Sequence, residues 1–133
     1  AVMLAALFSP ILDRIRPRYR ERRDLLLESL AEATPRGMSW WTPAGGFFVW
    51  CRLPIEVDRS VLAARAAETG VSFMPGWACC PEDPGESFLR LNFSYPAEAD
   101  LAAGGTRLLD AVRAACRRSR RPARGKLGTP PIV

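Results

Sequence analysis

The sequence predicts an α+β fold, a small and mostly antiparallel sheet of three to four strands covered by helices and preceded by one long helix. Three observations predict it. A helical apolar period runs from Leu4 to about Ala33; four short apolar or aromatic runs stand between turn signals; and two later stretches return to a helical period. The resulting order of helix, two strands, helix, two strands and helix suits helices layered on one small sheet. At 133 residues the chain is long enough for one compact domain with an ordinary core.

The first helix carries apolar positions at Leu4, Leu7, Phe8, Ile11, Ile15, Tyr19, Leu26 and Leu30. Pro10 and Pro17 each remove a backbone donor, so the segment is expected to break or kink there before a cleaner, charge-rich helix from about Arg18. Pro35, Arg36 and Gly37 end it. Met38 to Trp41 reads as a short strand, Thr42 to Gly46 as a turn, and Phe47 to Leu53 as a second strand whose two apolar faces predict cover on both sides. Gly45 and Gly46 lack the spacing and the following helix of a phosphate loop, and read as a tight turn entering that strand.

Asp58 is placed to cap a helix with Val61, Leu62, Arg65, Ala66 and Thr69 on one stripe, closed by Gly70. Val71 to Met74 reads as a third strand. A Pro75-Gly76 turn then opens an irregular loop through Pro81, Pro84 and Gly85, and Ser87 to Ser94 reads as a fourth strand. Pro96, with Glu98 and Asp100 behind it, starts a last helix whose core stripe is Leu101, Leu108, Leu109, Val112 and Cys116. Gly104 and Gly105 weaken that helix by about 1 kcal/mol each relative to Ala. Beyond Cys116 the chain is basic and poor in apolar residues, and disorder is expected over 117–133. The organisation is thus a proline-kinked helix over 1–34, a domain over 35–116 and a basic tail.

The net charge of +5 belongs to that tail. Arg117, Arg118, Arg120, Arg121, Arg124 and Lys126 lie there without an acid, leaving 13 basic against 14 acidic residues elsewhere. A domain of nearly balanced charge argues against a nucleic-acid surface, and the aromatic residues Trp40, Trp41, Phe47, Phe48, Trp50 and Trp77 read as core rather than as a stacking platform. No apolar run approaches the roughly 20 residues of a membrane span. The opening AVMLAALF lacks a signal-peptide pattern and reads as an internal cut. Four cysteines, Cys51, Cys79, Cys80 and Cys116, form no C-x-x-C pair, and with no histidine they argue for a reduced, cytoplasmic protein without a zinc site.

The catalytic inventory is short. Triads that need histidine are excluded, and the one lysine, Lys126, lies in the tail. Arg90 stands apart inside the run Phe88-Leu-Arg-Leu-Asn-Phe93. On a strand it shares one face with Phe88 and Asn92, while Leu89, Leu91 and Phe93 point to the core. A surface arginine or structural ion pair is the common outcome of such a pattern; a guanidinium that grips a carboxylate at two points is the alternative.

Four ordered motifs bear on that choice: Arg18-Tyr-Arg-Glu-Arg-Arg-Asp24, Pro43-Ala-Gly-Gly-Phe-Phe-Val-Trp50, Gly70-Val-Ser-Phe-Met-Pro-Gly76 and Arg90-Leu-Asn-Phe-Ser94. Together they resemble the C-terminal small domain of class I/II, fold-type I aminotransferases, nearest the branch acting on α-aminoadipate, aromatic and branched-chain amino acids, over about Arg14 to Cys116. The resemblance implies that Arg90 binds the substrate α-carboxylate, that Gly46 and Phe47 border the substrate pocket, and that Asn92 supports it. It implies amino-acid and 2-oxo-acid substrates, pyridoxal 5'-phosphate as cofactor, a large domain carrying the cofactor lysine, and a homodimer. The chain alone is then expected neither to bind the cofactor nor to catalyse. The alternatives are an aminotransferase-like effector domain in a DNA-binding transcription regulator and a free-standing α+β interaction module.

Overall fold

The computed structural model describes residues 2–79 and 87–119. Within them the chain forms α1 (Val2–Ala31), β1 (Ser39–Trp40), β2 (Phe48–Arg52), α2 (Arg59–Glu68), β3 (Met74–Pro75), a single helical turn α3 (Gly76–Cys79), β4 (Phe88–Asn92) and α4 (Glu98–Ser119). The strands form one sheet in the order β1-β2-β4-β3, antiparallel throughout. The predicted α+β class holds.

The central pair is β2 and β4. Val49 lies opposite Leu91 and Cys51 opposite Leu89, and these four side chains are buried in one cluster with Leu26 and Leu30 of α1, Leu62 of α2 and Leu101, Leu108, Leu109 and Val112 of α4. Because successive strand residues alternate faces, burial of one set obliges Phe48, Trp50, Phe88 and Arg90 onto the other. That second face is half-buried, and none of these side chains belongs to the core cluster. Cover on both sides, expected from the aromatic run, is therefore not found among the described residues: all three long helices contribute to the one cluster. Of the aromatic residues expected in the core, Trp40 and Trp77 are half-buried and pack against the cluster, whereas Phe48 and Trp50 are half-buried outside it and Trp41 and Phe47 are exposed.

Local chemistry explains most element ends. The Asp58 carboxylate accepts from the backbone N–H of Ser60 and Val61 at 2.9 and 3.2 Å, capping α2. At its other end Val71 N–H donates to Ala66 and Gly70 N–H to Ala67, the paired bonds of a Schellman motif, with Gly70 at φ 72°. Only Leu62 and Ala66 of the expected stripe are buried; Arg65 and Thr69 are exposed, where Arg65 pairs with Glu68.

Other boundaries differ. α1 runs unbroken through Pro10 and Pro17, because each proline forfeits one hydrogen bond while the Leu, Arg and Glu turns on either side keep theirs. The third strand is Met74–Pro75 rather than Val71 to Met74, since its position is set by pairing with Arg90 and Leu89 of β4. Gly76 opens α3 instead of a turn, whereas the loop through Pro81, Pro84 and Gly85 lies outside the described residues. The fourth strand is trimmed to Phe88–Asn92. α4 begins at Glu98, two residues past Pro96, and continues through Ser119, so the first three residues of the expected tail are helical. The rest of that tail, Lys126 included, lies outside the described residues.

α4 packs on α1 at Gly105. A Cβ there would stand 1.9 Å from Ser29 Oγ and 2.8 Å from Ser29 Cβ, inside any tolerable contact. The Ser29 hydroxyl is buried and donates to Leu26 O at 2.7 Å, so it has little room to yield. Gly105 thus permits the helix crossing, whereas Gly104 has nothing within 4 Å of its Cβ direction. Gly105→Ala is expected to destabilise by about 1–3 kcal/mol, since overpacking outweighs the better helix propensity. Gly104→Ala should stabilise by up to about 1 kcal/mol. Urea unfolding of the two variants checks the contrast; equal effects would refute it.

Candidate functional site

Arg90 sits at the centre of the half-buried face opposite the core. Register places it between Trp50 on β2 and Met74 on β3. Phe48, opposite Asn92, lies on the diagonal, and the central carbon of the Arg90 guanidinium stands 4.2 Å from the Phe48 ring centroid. The Arg90 Nε–H is buried without a hydrogen-bond partner among the described residues. This is the exception among half-buried arginines. Arg22 donates to Phe93 O at 2.8 Å and to Pro96 O; Arg23 donates to Asp24 at 2.9 Å and Pro43 O at 3.0 Å; Arg59 donates to Ser87 Oγ at 3.0 Å; and Arg113 donates to Asp110 at 2.7 Å and to Ala33 O. Leaving a buried donor unmet costs about 1–3 kcal/mol, so an arginine in that state is unusual in a structure that gives each of its other half-buried arginines an acceptor.

Of the four residues singled out in the sequence, Gly46, Phe47 and Asn92 lie at one end of the β2–β4 pair and Arg90 at its middle, and they divide between two faces. Asn92 is on the Arg90 face and exposed; its Oδ1 accepts from Ser94 N–H and Ser94 Oγ, each at 2.7 Å, so it shapes the turn after β4 and makes no bond to Arg90. Gly46, at φ 79°, uses a conformation that side chains rarely adopt and turns the chain into β2. Phe47 then points toward α1, its ring 5.2 Å edge-on from Tyr19. Gly46 and Phe47 line a cavity of about 430 Å³ with Tyr19, Arg20, Arg23 and Phe93. The two faces are joined through the ladder, where Phe93 N–H donates to Phe47 O at 3.0 Å.

Sequence reasoning missed Phe48, Tyr19 and Arg23. Phe48 becomes visible only once register sets it diagonal to Arg90, and Arg23 only once its reach to Pro43 O is known. Metal chemistry finds no group of three or more potential ligands among the described residues.

Residues 1–105 match the family model for aminotransferase class I and II. The chain belongs to that family. It is 36% identical over 95 residues to aromatic-amino-acid aminotransferase 1 of Thermococcus litoralis, covering 71% of this chain and 23% of that protein. To the 2-aminoadipate transaminase of Thermus thermophilus it is 35% identical over 106 residues, 80% of this chain and 27% of that protein. The α-aminoadipate aminotransferase of Thermus thermophilus, solved with N-(5'-phosphopyridoxyl)-L-leucine, superposes with a TM-score of 0.77 at 33% identity, over 87% of this chain and 30% of that one. The chain therefore spans about a quarter of the length of the relatives it matches.

Aminotransferases of this family use pyridoxal phosphate, which needs a lysine amine. No lysine occurs among the described residues to supply that amine; what the chain offers is the Arg90 guanidinium with its Nε donor unmet among the described residues. The chain's buried thiol is inert by contrast. Cys51, on the core face of β2, is fully buried, and loss of hydration pushes its pKa from 9.0 up to about 12. The folded state therefore holds the proton more tightly than the unfolded state. Its stabilising effect is complete below pH 9.0 and is lost as pH rises from there toward about 12. Against Cys51→Ala, the unsubstituted protein should lose up to about 1.4 kcal/mol more per pH unit in that window, read by denaturant unfolding, and Cys51 should resist iodoacetamide at pH 8 until the protein unfolds.

Proposed function

We propose that this chain is the C-terminal small domain of a pyridoxal-phosphate-dependent aminotransferase that moves an amino group between an amino acid and a 2-oxo acid, and that Arg90 binds the substrate α-carboxylate. The observation that carries the reading is the state of Arg90: a guanidinium on a rigid central strand, seated on a ring, with a buried donor unmet and no carboxylate partner among the described residues. A planar fork in that position suits two-point recognition of a carboxylate, which a lysine ammonium does not reproduce. Held by the strand ladder, it would fix the orientation of the substrate Cα rather than move its proton.

The cofactor amine, the phosphate contacts and proton transfer are assigned to a large domain, so the 133-residue chain alone is read as inactive. The exposed apolar row Phe8, Ile11, Leu12 and Ile15 on α1 supports a larger, covered assembly. A homodimer in the cytoplasm completes the proposal.

In the full-length protein, Arg90→Ala is expected to raise KM for amino donors and 2-oxo acceptors alike by about ten- to a hundredfold, the loss of one or two charge-assisted hydrogen bonds. Arg90→Lys should recover only part of it. Cofactor absorbance should be unchanged in both. Steady-state kinetics with wild-type KM in Arg90→Ala would remove Arg90 from the site, and a cofactor-derived visible band on the isolated chain would contradict its reading as a partial enzyme.

A further inference from the structure

An arginine side chain has four rotatable bonds, and a carboxylate site needs its fork aimed before the ligand arrives. The other half-buried arginines are held by oxygen acceptors, as Arg22 is by Phe93 O and Arg113 by Asp110. Arg90 has none among the described residues, yet its guanidinium lies close over Phe48 at 4.2 Å. The contact follows from register: Phe48 opposes Asn92 while Trp50 opposes Arg90, so ring and guanidinium meet along the sheet diagonal, within reach of long side chains. An aromatic face attracts the cation through its quadrupole and takes up no N–H donor. An acidic residue in the same place would also hold the guanidinium, but it would occupy the fork and cancel its charge.

We propose that Phe48 is a positioning residue, which aims the Arg90 guanidinium toward the Asn92 end of β4 while leaving its donors for a carboxylate. The inference rests on the reading of Arg90 as the carboxylate site and adds to it the residue that sets its geometry. Phe48 acts through Arg90 and touches no reacting atom. Trp50, directly opposite, makes no comparable contact with the guanidinium.

The test uses the full-length holoenzyme and 3-phenylpropionate, a carboxylate with neither amino nor oxo group, titrated calorimetrically beside its uncharged amide. Phe48→Leu is expected to weaken 3-phenylpropionate by about three- to thirtyfold, the range of a partly desolvated cation–π contact, and to leave the amide unchanged. KM for amino donors should rise by a like factor while kcat falls by less than about twofold. Phe48→Tyr, which keeps the ring face, should restore binding to within about twofold of wild type. Replacing Phe48 by mono-, di- and trifluorinated phenylalanine drains the ring face with little change of shape, and carboxylate affinity should fall stepwise with fluorine number. That series decides the matter where Phe48→Leu folds poorly. If Arg90→Ala weakens 3-phenylpropionate while Phe48→Leu and the fluorinated proteins bind it as wild type does, the role of Phe48 is overturned and that of Arg90 stands. If Arg90→Ala itself binds 3-phenylpropionate unchanged, both assignments fall.

Discussion

Val49, Cys51, Leu89 and Leu91 leave at most 6% of their surface to solvent, and every other feature of the sheet follows from that burial. A strand cannot bury alternate residues without presenting the intervening ones to the opposite side. With α1, α2 and α4 all joined to the same cluster, the opposite side receives Phe48, Trp50 and Phe88 and, at its middle, Arg90. The core thereby holds a cation in place without touching it. Slipping β4 by one residue would drive the guanidinium into the apolar cluster and bring Leu89 and Leu91 out, a double cost that fixes register and, with it, the site. Positional accuracy at Arg90 is thus supplied by leucines and valines on the far face.

The helical layer is closed by a different economy. α1 and α4 approach closely because Gly105 presents no side chain to Ser29, and the chain ends around them are tied by arginines whose heads reach backbone carbonyls: Arg22 to Phe93 and Pro96, Arg23 to Pro43, Arg113 to Ala33. A guanidinium carries five donors on a long stem and so bridges elements that are distant in sequence. By comparison, the exposed pairs of Arg16 with Asp13 and Arg65 with Glu68 each contribute little. Three of the thirteen arginines outside the tail thus act as structural fastening.

What could be read from the sequence was whatever the local chain decides. Asp58 and Gly70 sit at the ends of α2 because a cap needs only residues within a turn or two, and the alternation around Arg90 needs only its own strand. Errors arose where a distant partner decides. β3 is two residues of edge strand positioned by β4, with a proline that weakens any strand signal of its own. Gly105 looked like a helix defect because Ser29 is 76 residues away in the chain. The aromatic run 47–50 looked like a strand covered twice, since nothing local distinguishes a ring packed in a core from one held beneath a cation. The candidate site was legible only in part: alternation put Arg90 on the face away from the core, its carboxylate-binding role remained an expectation of the resemblance, and the contact with Phe48 came only with register.

The contrast between the fastening arginines and Arg90 has a physical basis. An arginine that fastens must spend its donors on oxygen atoms, and once they are spent it offers a ligand only diffuse charge. An arginine that binds must be held by something that takes no donor, and an aromatic face meets that requirement. The cost is a buried N–H without an acceptor among the described residues, seen at Arg90 Nε. In the role proposed for Arg90, a carboxylate that met the fork would relieve that cost as well as contribute its own charge.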